Sequence, residues 1–277
     1  MPGGDMKRPD ASLRDDSGKL NPEQGVYVDV METLTAARIP FLVGGGVALA
    51  SYTGMARAIK DLDLFVLSEN VSRIMEVCSD AGYQTKVRFA HWLGKVSKGD
   101  VFVDIIFGSG NGLCVVDEAW FQYAVPGKVF NRPVKLCPPE ETIWSKAFIM
   151  ERNRFDGADI AHILNAKGKD LDWTRLLRRF QSHWRVLFSH LILCGYIFPG
   201  DRSKIPDWLM KEFIRRIEVE MNPASSAERV CQGTLLSWSQ YLADIEDDDY
   251  QDARHFPRGN LKKEQTAALT DIFREEE

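Results

Sequence analysis

Apolar positions in the first half of the chain recur now at helical spacing, now in short unbroken runs. Val26–Arg38 (VYVDVMETLTAAR) has the helical spacing and predicts a helix. Ile39–Val43 (IPFLV) is a short apolar run with a proline at its edge, which predicts a strand. Gly44, Gly45 and Gly46 follow it, and VALASYTGMA then predicts a second helix. Leu62–Leu67 (LDLFVL) predicts a second strand, Val71–Ala81 a helix, and Tyr83–Phe89 a third strand. Val101–Phe107 (VFVDIIF) is an apolar strand broken by one acid, GSGNG after it is a turn, and Gly127–Leu136 (GKVFNRPVKL) predicts a small hairpin. Residues 1–24 are polar, rich in Gly, Pro, Asp and Ser, and without periodicity, so they are expected to form a loose tail.

The texture changes at Pro138–Glu141. Pro-Glu-Glu before an apolar run suits a helix start, because acids favour the positive end of the helix dipole. IWSKAFIMERNRF, GADIAHILNAKG and WTRLLRRF all show i, i+3, i+4 apolar spacing, and HWRVLFSHLILCGYIF is apolar enough to predict a buried central helix. Trp144, Trp173, Trp184 and Trp208 fall in this region as core aromatics. Beyond residue 222 one apolar helix is expected, Thr234–Leu242, and then an acidic run, Asp244–Asp252 (DIEDDDYQD), expected to be solvated. An α+β protein with a mainly helical C-terminal region is expected.

The composition bounds the function. Of 277 residues, 44% are hydrophobic and 27% charged, an ordinary globular balance. No apolar run reaches the roughly 18–20 residues of a membrane helix and the N-terminus lacks the apolar core of a signal peptide, so a cytoplasmic protein with no membrane partner is expected. Five scattered cysteines without a CxxC pair argue against a disulfide scaffold or zinc ribbon. A net charge of −5 argues against a protein that coats nucleic acid, although Lys146–Arg216 is locally basic and Arg175, Arg178, Arg179 and Arg185 form a strip that could meet RNA phosphates or simply be a solvated face. The histidines, including His183 and His190, show no paired spacing with acids and are expected in core roles.

Three features carry candidate chemistry. Glycines between a strand and a helix let backbone approach a ligand closely, and the helix start favours an anion, though such glycines also serve packing alone. Asp61 and Asp63 are two apart on a strand, so both face away from the core while Leu62 and Leu64 face into it. Two such carboxylates repel each other, and a divalent cation relieves the repulsion; the alternative is a solvated strand start. Asp104 lies in an otherwise apolar strand, where an ionised carboxylate needs a metal or a cationic partner.

Together, Gly45–Gly46, fourteen further residues, Asp61-x-Asp63 and a later strand Asp104 form an ordered pattern. It resembles the nucleotidyltransferase superfamily related to DNA polymerase beta, and GGGVALASYTGMARAIKDLDLFV is similar to the bacterial branch that includes the AbiEii-type toxins. Gly45, Gly46, Ala48, Leu49, Arg57, Asp61 and Asp63 carry the likeness; the glycine-to-acid gap is one residue longer than is usual there. PEETIWSKAFIMERNRFDGADIAHIL adds Lys146 as the lysine on a helix after the sheet, with Arg154 and either Asp156 or Asp159 as the later Arg and Asp. A Rossmann site is disfavoured, because its acid follows the second strand and position 49, where a third glycine belongs, is Leu.

The resemblance implies a small mixed-sheet nucleotidyltransferase core over 25–137, a helical region over 138–222 that completes the site, and a helical and acidic extension over 223–277. It implies Mg²⁺, with Mn²⁺ as a substitute, held by Asp61, Asp63 and Asp104. It also implies an NTP whose triphosphate lies against Gly44, Gly45 and Gly46 with Arg57 and Lys146 nearby. The implied reaction passes an NMP to a hydroxyl and releases pyrophosphate. The acceptor is open among RNA (tRNA included), protein and small molecules, and the toxin branch adds an antitoxin as a partner. A non-catalytic nucleotide- or partner-binding module with the same fold is the alternative.

Overall fold

The computed structural model describes residues 20–55, 61–221 and 229–268. The chain divides into two compact units. One comprises Met1–Arg88, Leu93–Phe107 and Val116–Pro138, and the other Phe89–Trp92, Gly108–Val115 and Pro139–Glu277.

The first unit opens with helix α1 (Pro22–Ala36), which starts three residues before the expected Gly25. Asn21 and Gln24 form a reciprocal capping box, with Gln24 N donating to Asn21 Oδ1 at 2.8 Å, and proline at the first helical position needs no amide partner. The remaining elements are β1 (Leu42–Val43), α2 (Gly45–Thr53), β2 (Leu62–Phe65), α3 (Val71–Asp80), β3 (Gln84–Phe89), β4 (Leu93–Lys98), β5 (Val101–Ile106), α4 (Glu118–Gln122), β6 (Val125–Val129) and β7 (Arg132–Leu136). The strands make one mixed seven-stranded sheet in the order β3-β4-β5-β2-β1-β7-β6. β2 runs parallel to β5 and antiparallel to β1, while β1 runs parallel to β7. The fold is α+β, as expected.

Side-chain alternation gives the sheet two unlike faces. Leu62, Leu64, Val103 and Ile105 are fully buried in a core with Val30, Leu34, Ile39 and Ile74 from α1, the segment after it and α3. Each such side chain contributes about 1.5–3 kcal/mol by leaving water. The residues between them, Asp63 and Asp104, therefore project from the other face. At the far end of β2, Phe65 shares the Asp63 face and stacks on Trp120 of α4, ring centroids 5.2 Å apart. Strand β4 has no counterpart among the expected elements: LGKVSK alternates too weakly with polar residues to stand out, and pairing with β5 along its whole length makes it a strand.

In the second unit α5 (Pro139–Ala147), α6 (Gly157–Lys167), α7 (Trp173–Phe180), α8 (Trp184–Ile197) and α9 (Asp207–Glu220) pack around Ile143, Ile160, Ile163, Leu176, Phe180, Leu187, Leu209 and Phe213. The helix expected through IWSKAFIMERNRF stops at Ala147. Met150 and Phe155 form an antiparallel bridge closed by Glu151 N donating to Arg154 O at 2.8 Å, so ERNR is a turn. Helix α8 is not buried all round as its composition predicts: Ile192 and Tyr196 are 53% and 81% exposed. The expected Thr234–Leu242 helix is instead a 3₁₀ turn, Gly233–Leu235, followed by the short α10 (Leu242–Glu246), while β8 (Val230–Cys231) pairs with β9 (Gln251–Asp252). Glu246–Asp249 are exposed, as an acidic run should be, but Asp252 is buried against Arg254 at 2.6 Å. No helix among the described residues is long and apolar enough to cross a membrane.

Candidate functional site

Register brings two of the three sheet acids together. Asp63 on β2 pairs with Asp104 on the parallel neighbour β5, and Asp104 pairs in turn with Lys95 on β4. Paired residues on adjacent strands point to the same face, so Lys95, Asp104 and Asp63 form one row across the sheet. Asp61 lies at the bend just before β2, two residues from Asp63. Its charge is close enough to act on Asp104.

The glycine turn meets this row. Gly44 N donates to Asp63 O at 3.0 Å, continuing the β1–β2 ladder into the turn. Gly45 has φ +53°, and a β-carbon there would stand 1.7 Å from Asp63 Oδ2. A side chain at Gly44 would enter the Phe65 ring at 2.3 Å, whereas Gly46 has open space around it. Two of the three glycines are thus required by close approach, one of them to the Asp63 carboxylate itself. Gly44 is also the N-cap of α2 and brings no side chain to its first-turn amides, which leaves that end of the helix suited to an anion.

Burial lifts the Asp104 carboxyl above the ordinary carboxylate range. The Asp61 charge adds to that rise, and Lys95 and Arg88 oppose it. Lys95 Nζ stands 3.1 Å from Asp104 Oδ1, yet that oxygen has no hydrogen-bond partner, so the contact is an ion pair without hydrogen-bond alignment. Nothing in LGKVSK marks Lys95 as a site residue, because its role comes from a pairing partner distant in sequence.

A metal fits this donor set in chemistry more than in arrangement. Carboxylate oxygens are the ligands Mg²⁺ prefers, and Asp63 and Asp104 are cross-strand neighbours. Among the described residues, however, no three acid, histidine or cysteine side chains stand together closely enough to hold a metal. Asp104 is turned to Lys95.

The second unit gathers the other expected residues. Lys146 Nζ lies 2.6 Å from Asp156 Oδ2 and 2.9 Å from Asp159 Oδ2, and Arg154 Nε lies 3.1 Å from Asp156 Oδ1. Burial would raise the Asp156 carboxyl, but Arg154 and Lys146 outweigh it and hold the group below its ordinary range. The lysine expected at a triphosphate therefore has its charge matched by two carboxylates, both of the residues between which the pattern left the later acid open. Arg57 lies outside the described residues. Two of the four arginines of the basic strip are spent inside the fold, while Arg178 and Arg185 are exposed. Arg175 pairs with Glu140 and Glu141, Arg179 lies 3.0 Å from Glu141, and Arg185 pairs with Glu220. His190, buried, contacts Ala147 O at 3.0 Å in a core role.

No family model and no curated protein matches the chain. Among solved structures it is similar to the lincosamide antibiotic adenylyltransferase LnuA with lincomycin bound, at 14% identity and TM-score 0.38, over 52% of this chain and 96% of that one. It is also similar to the antibiotic-resistance factor ANT(2'')-Ia in solution, at 18% identity and TM-score 0.43, over 61% of this chain and 96% of that one. A third is an antigenic nucleotidyltransferase-like protein from Paracoccidioides brasiliensis, at 16% identity and TM-score 0.43, over 66% and 93% of the two chains. At these identities and scores the likeness carries no argument about activity.

Proposed function

We propose that the chain is a metal-dependent nucleotidyltransferase that moves an NMP from an NTP to an acceptor hydroxyl and releases pyrophosphate. The observation that carries this reading is the in-register pair Asp63–Asp104 beside a turn whose Gly45 backbone lies against the Asp63 carboxylate. The first-turn amides of α2 would take the triphosphate, since the N-cap Gly44 has no side chain to fill that end of the helix. Asp61, Asp63 and Asp104 would hold Mg²⁺, which when bound neutralises the phosphates and stabilises the charge that develops on the leaving pyrophosphate. Asp104, with its proton affinity raised by burial, would take the proton of the acceptor hydroxyl. Lys146 would have to share its charge among Asp156, Asp159 and a phosphate, so it is the least able of the expected residues to act at the site.

The acceptor class follows from none of these side chains. RNA, protein and small hydroxyl compounds all remain within the reading, and a toxin role with an antitoxin partner is a further extension of it. A non-catalytic nucleotide-binding module draws on one observation, the engagement of Asp104 by Lys95 in place of a third carboxylate.

A thermal-shift series with each NTP, with and without Mg²⁺, tests binding. Transfer of label from α-labelled NTP to acceptors in a lysate tests catalysis. Stabilisation that needs both NTP and Mg²⁺, together with labelled product absent from Asp63→Ala, supports the enzyme. Stabilisation without any labelled product supports the module.

A further inference from the structure

Lys95 is the one charged member of the acid row to which the transfer reaction gives no part. It reaches Asp104 from β4 at 3.1 Å, and Asp104 is 16% exposed, too buried to hold its charge comfortably without a counter-charge. We propose that Lys95 is a resident counter-cation that competes with a divalent metal for Asp104 and so sets how tightly the site binds metal. This inference rests on the metal-dependent reading above.

Three features of the chain support it. First, an ammonium and a divalent cation repel each other, so a metal held by either oxygen of Asp104 is opposed by the lysine that stands 3.1 Å from Oδ1. Second, the lysine has somewhere to go. Its side chain is 31% exposed, and Nζ already lies 3.9 Å from the centre of the Phe102 ring, a cation–π platform on the same strand as Asp104. Third, the contact at 3.1 Å from Asp104 Oδ1 falls outside hydrogen-bond geometry, so it rests mainly on charge. Among the described residues no three-carboxylate cluster forms, and the one ion pair of Asp104 runs to Lys95 on β4.

The test is Mn²⁺ titration followed by electron paramagnetic resonance of the free ion, on the full chain without nucleotide. Wild type, Lys95→Met, Lys95→Arg and Asp63→Asn are compared, each with its melting temperature. Lys95→Met should bind Mn²⁺ roughly tenfold tighter, the scale of one partly buried ion pair removed from competition. Lys95→Arg should stay near wild type, because it restores the competing charge, and Asp63→Asn should bind weakly. Should Lys95→Met fold poorly, Lys95→Gln carries the same expectation. Mn²⁺ bound by wild type, lost in Asp63→Asn and unchanged in Lys95→Met overturns this inference alone. A lower melting temperature in Lys95→Met with unchanged Mn²⁺ affinity marks a structural ion pair and overturns it as well. Mn²⁺ bound by none of the four forms overturns both the inference and the metal-dependent reading.

Discussion

Gly45→Ala is the sharpest single perturbation of the proposed site. Gly45 has φ +53°, and an L-residue in that left-handed region costs roughly 1–2 kcal/mol. The added β-carbon would also stand 1.7 Å from Asp63 Oδ2 and 2.7 Å from Asp63 Cγ, so the carboxylate must leave its rotamer. A side chain forced off its preferred torsion adds about 0.5–1.5 kcal/mol. The sum is roughly 1.5–3.5 kcal/mol, which lowers the melting temperature by roughly 3–14 °C. Gly46→Ala is the matched control, since a β-carbon there meets nothing within 4 Å, and surface substitutions of this kind change stability by about 0.5 kcal/mol or less. Calorimetric melting of both variants reads the stability difference, and labelled-NTP transfer reads the effect of moving Asp63. Gly45→Ala should melt early and transfer nothing, while Gly46→Ala should match wild type in melting. Equal melting of Gly45→Ala and wild type, or the larger loss in Gly46→Ala, would refute the close approach on which the site depends.

Asp63→Ala should abolish transfer and leave melting nearly unchanged, because the side chain is only half-buried; transfer at the wild-type rate would remove Asp63 from the mechanism. Asp104→Asn should also abolish transfer, yet melt no lower than wild type at neutral pH, since burial disfavours its ionised form. A carboxyl raised in the folded state lowers stability above that raised value, so the gap between the two proteins should close as pH falls toward the ordinary carboxylate range; a gap that widens on acidification contradicts this. Glu141→Ala should cost about 1.5–3 kcal/mol in denaturant titration, because it takes a fully buried carboxylate from Arg179 and from Arg175, which keeps Glu140, and a loss under about 1 kcal/mol would show that the remaining contacts suffice. A thiol reagent on the native protein should label Cys231 alone. The other four cysteines are buried, and burial pushes the Cys78 thiol up to about 11; rapid labelling of a second thiol would contradict that packing.

Local pattern carried much of the fold. The alternation in LDLF and VFVDII placed Leu62, Leu64, Val103 and Ile105 inward and the acids outward, because period two is a property of each strand alone. What local pattern could not carry was pairing. That Asp63 stands opposite Asp104, and Asp104 opposite Lys95, depends on strand order and register across segments tens of residues apart. Strand β4 was illegible for the same reason, since its stability comes from β5 rather than from LGKVSK itself. In the second unit, the periodicity through IWSKAFIMERNRF continued past the point where the chain turns. Glu151 is drawn off by Ser237 and by Trp238 N at 2.9 Å, contacts that no helical spacing reveals. Arg175 and Arg179 looked like a solvated basic face because their partners, Glu140 and Glu141, sit on another helix.

The most direct test of the central claim is a crystal structure of the chain soaked with Mn²⁺ and a non-hydrolysable NTP analogue. The account predicts anomalous density for the metal between the carboxylates of Asp63 and Asp104, with the triphosphate along Gly44–Gly46 and Lys95 withdrawn from Asp104. Metal and nucleotide bound elsewhere, with the Lys95–Asp104 pair intact, would contradict it.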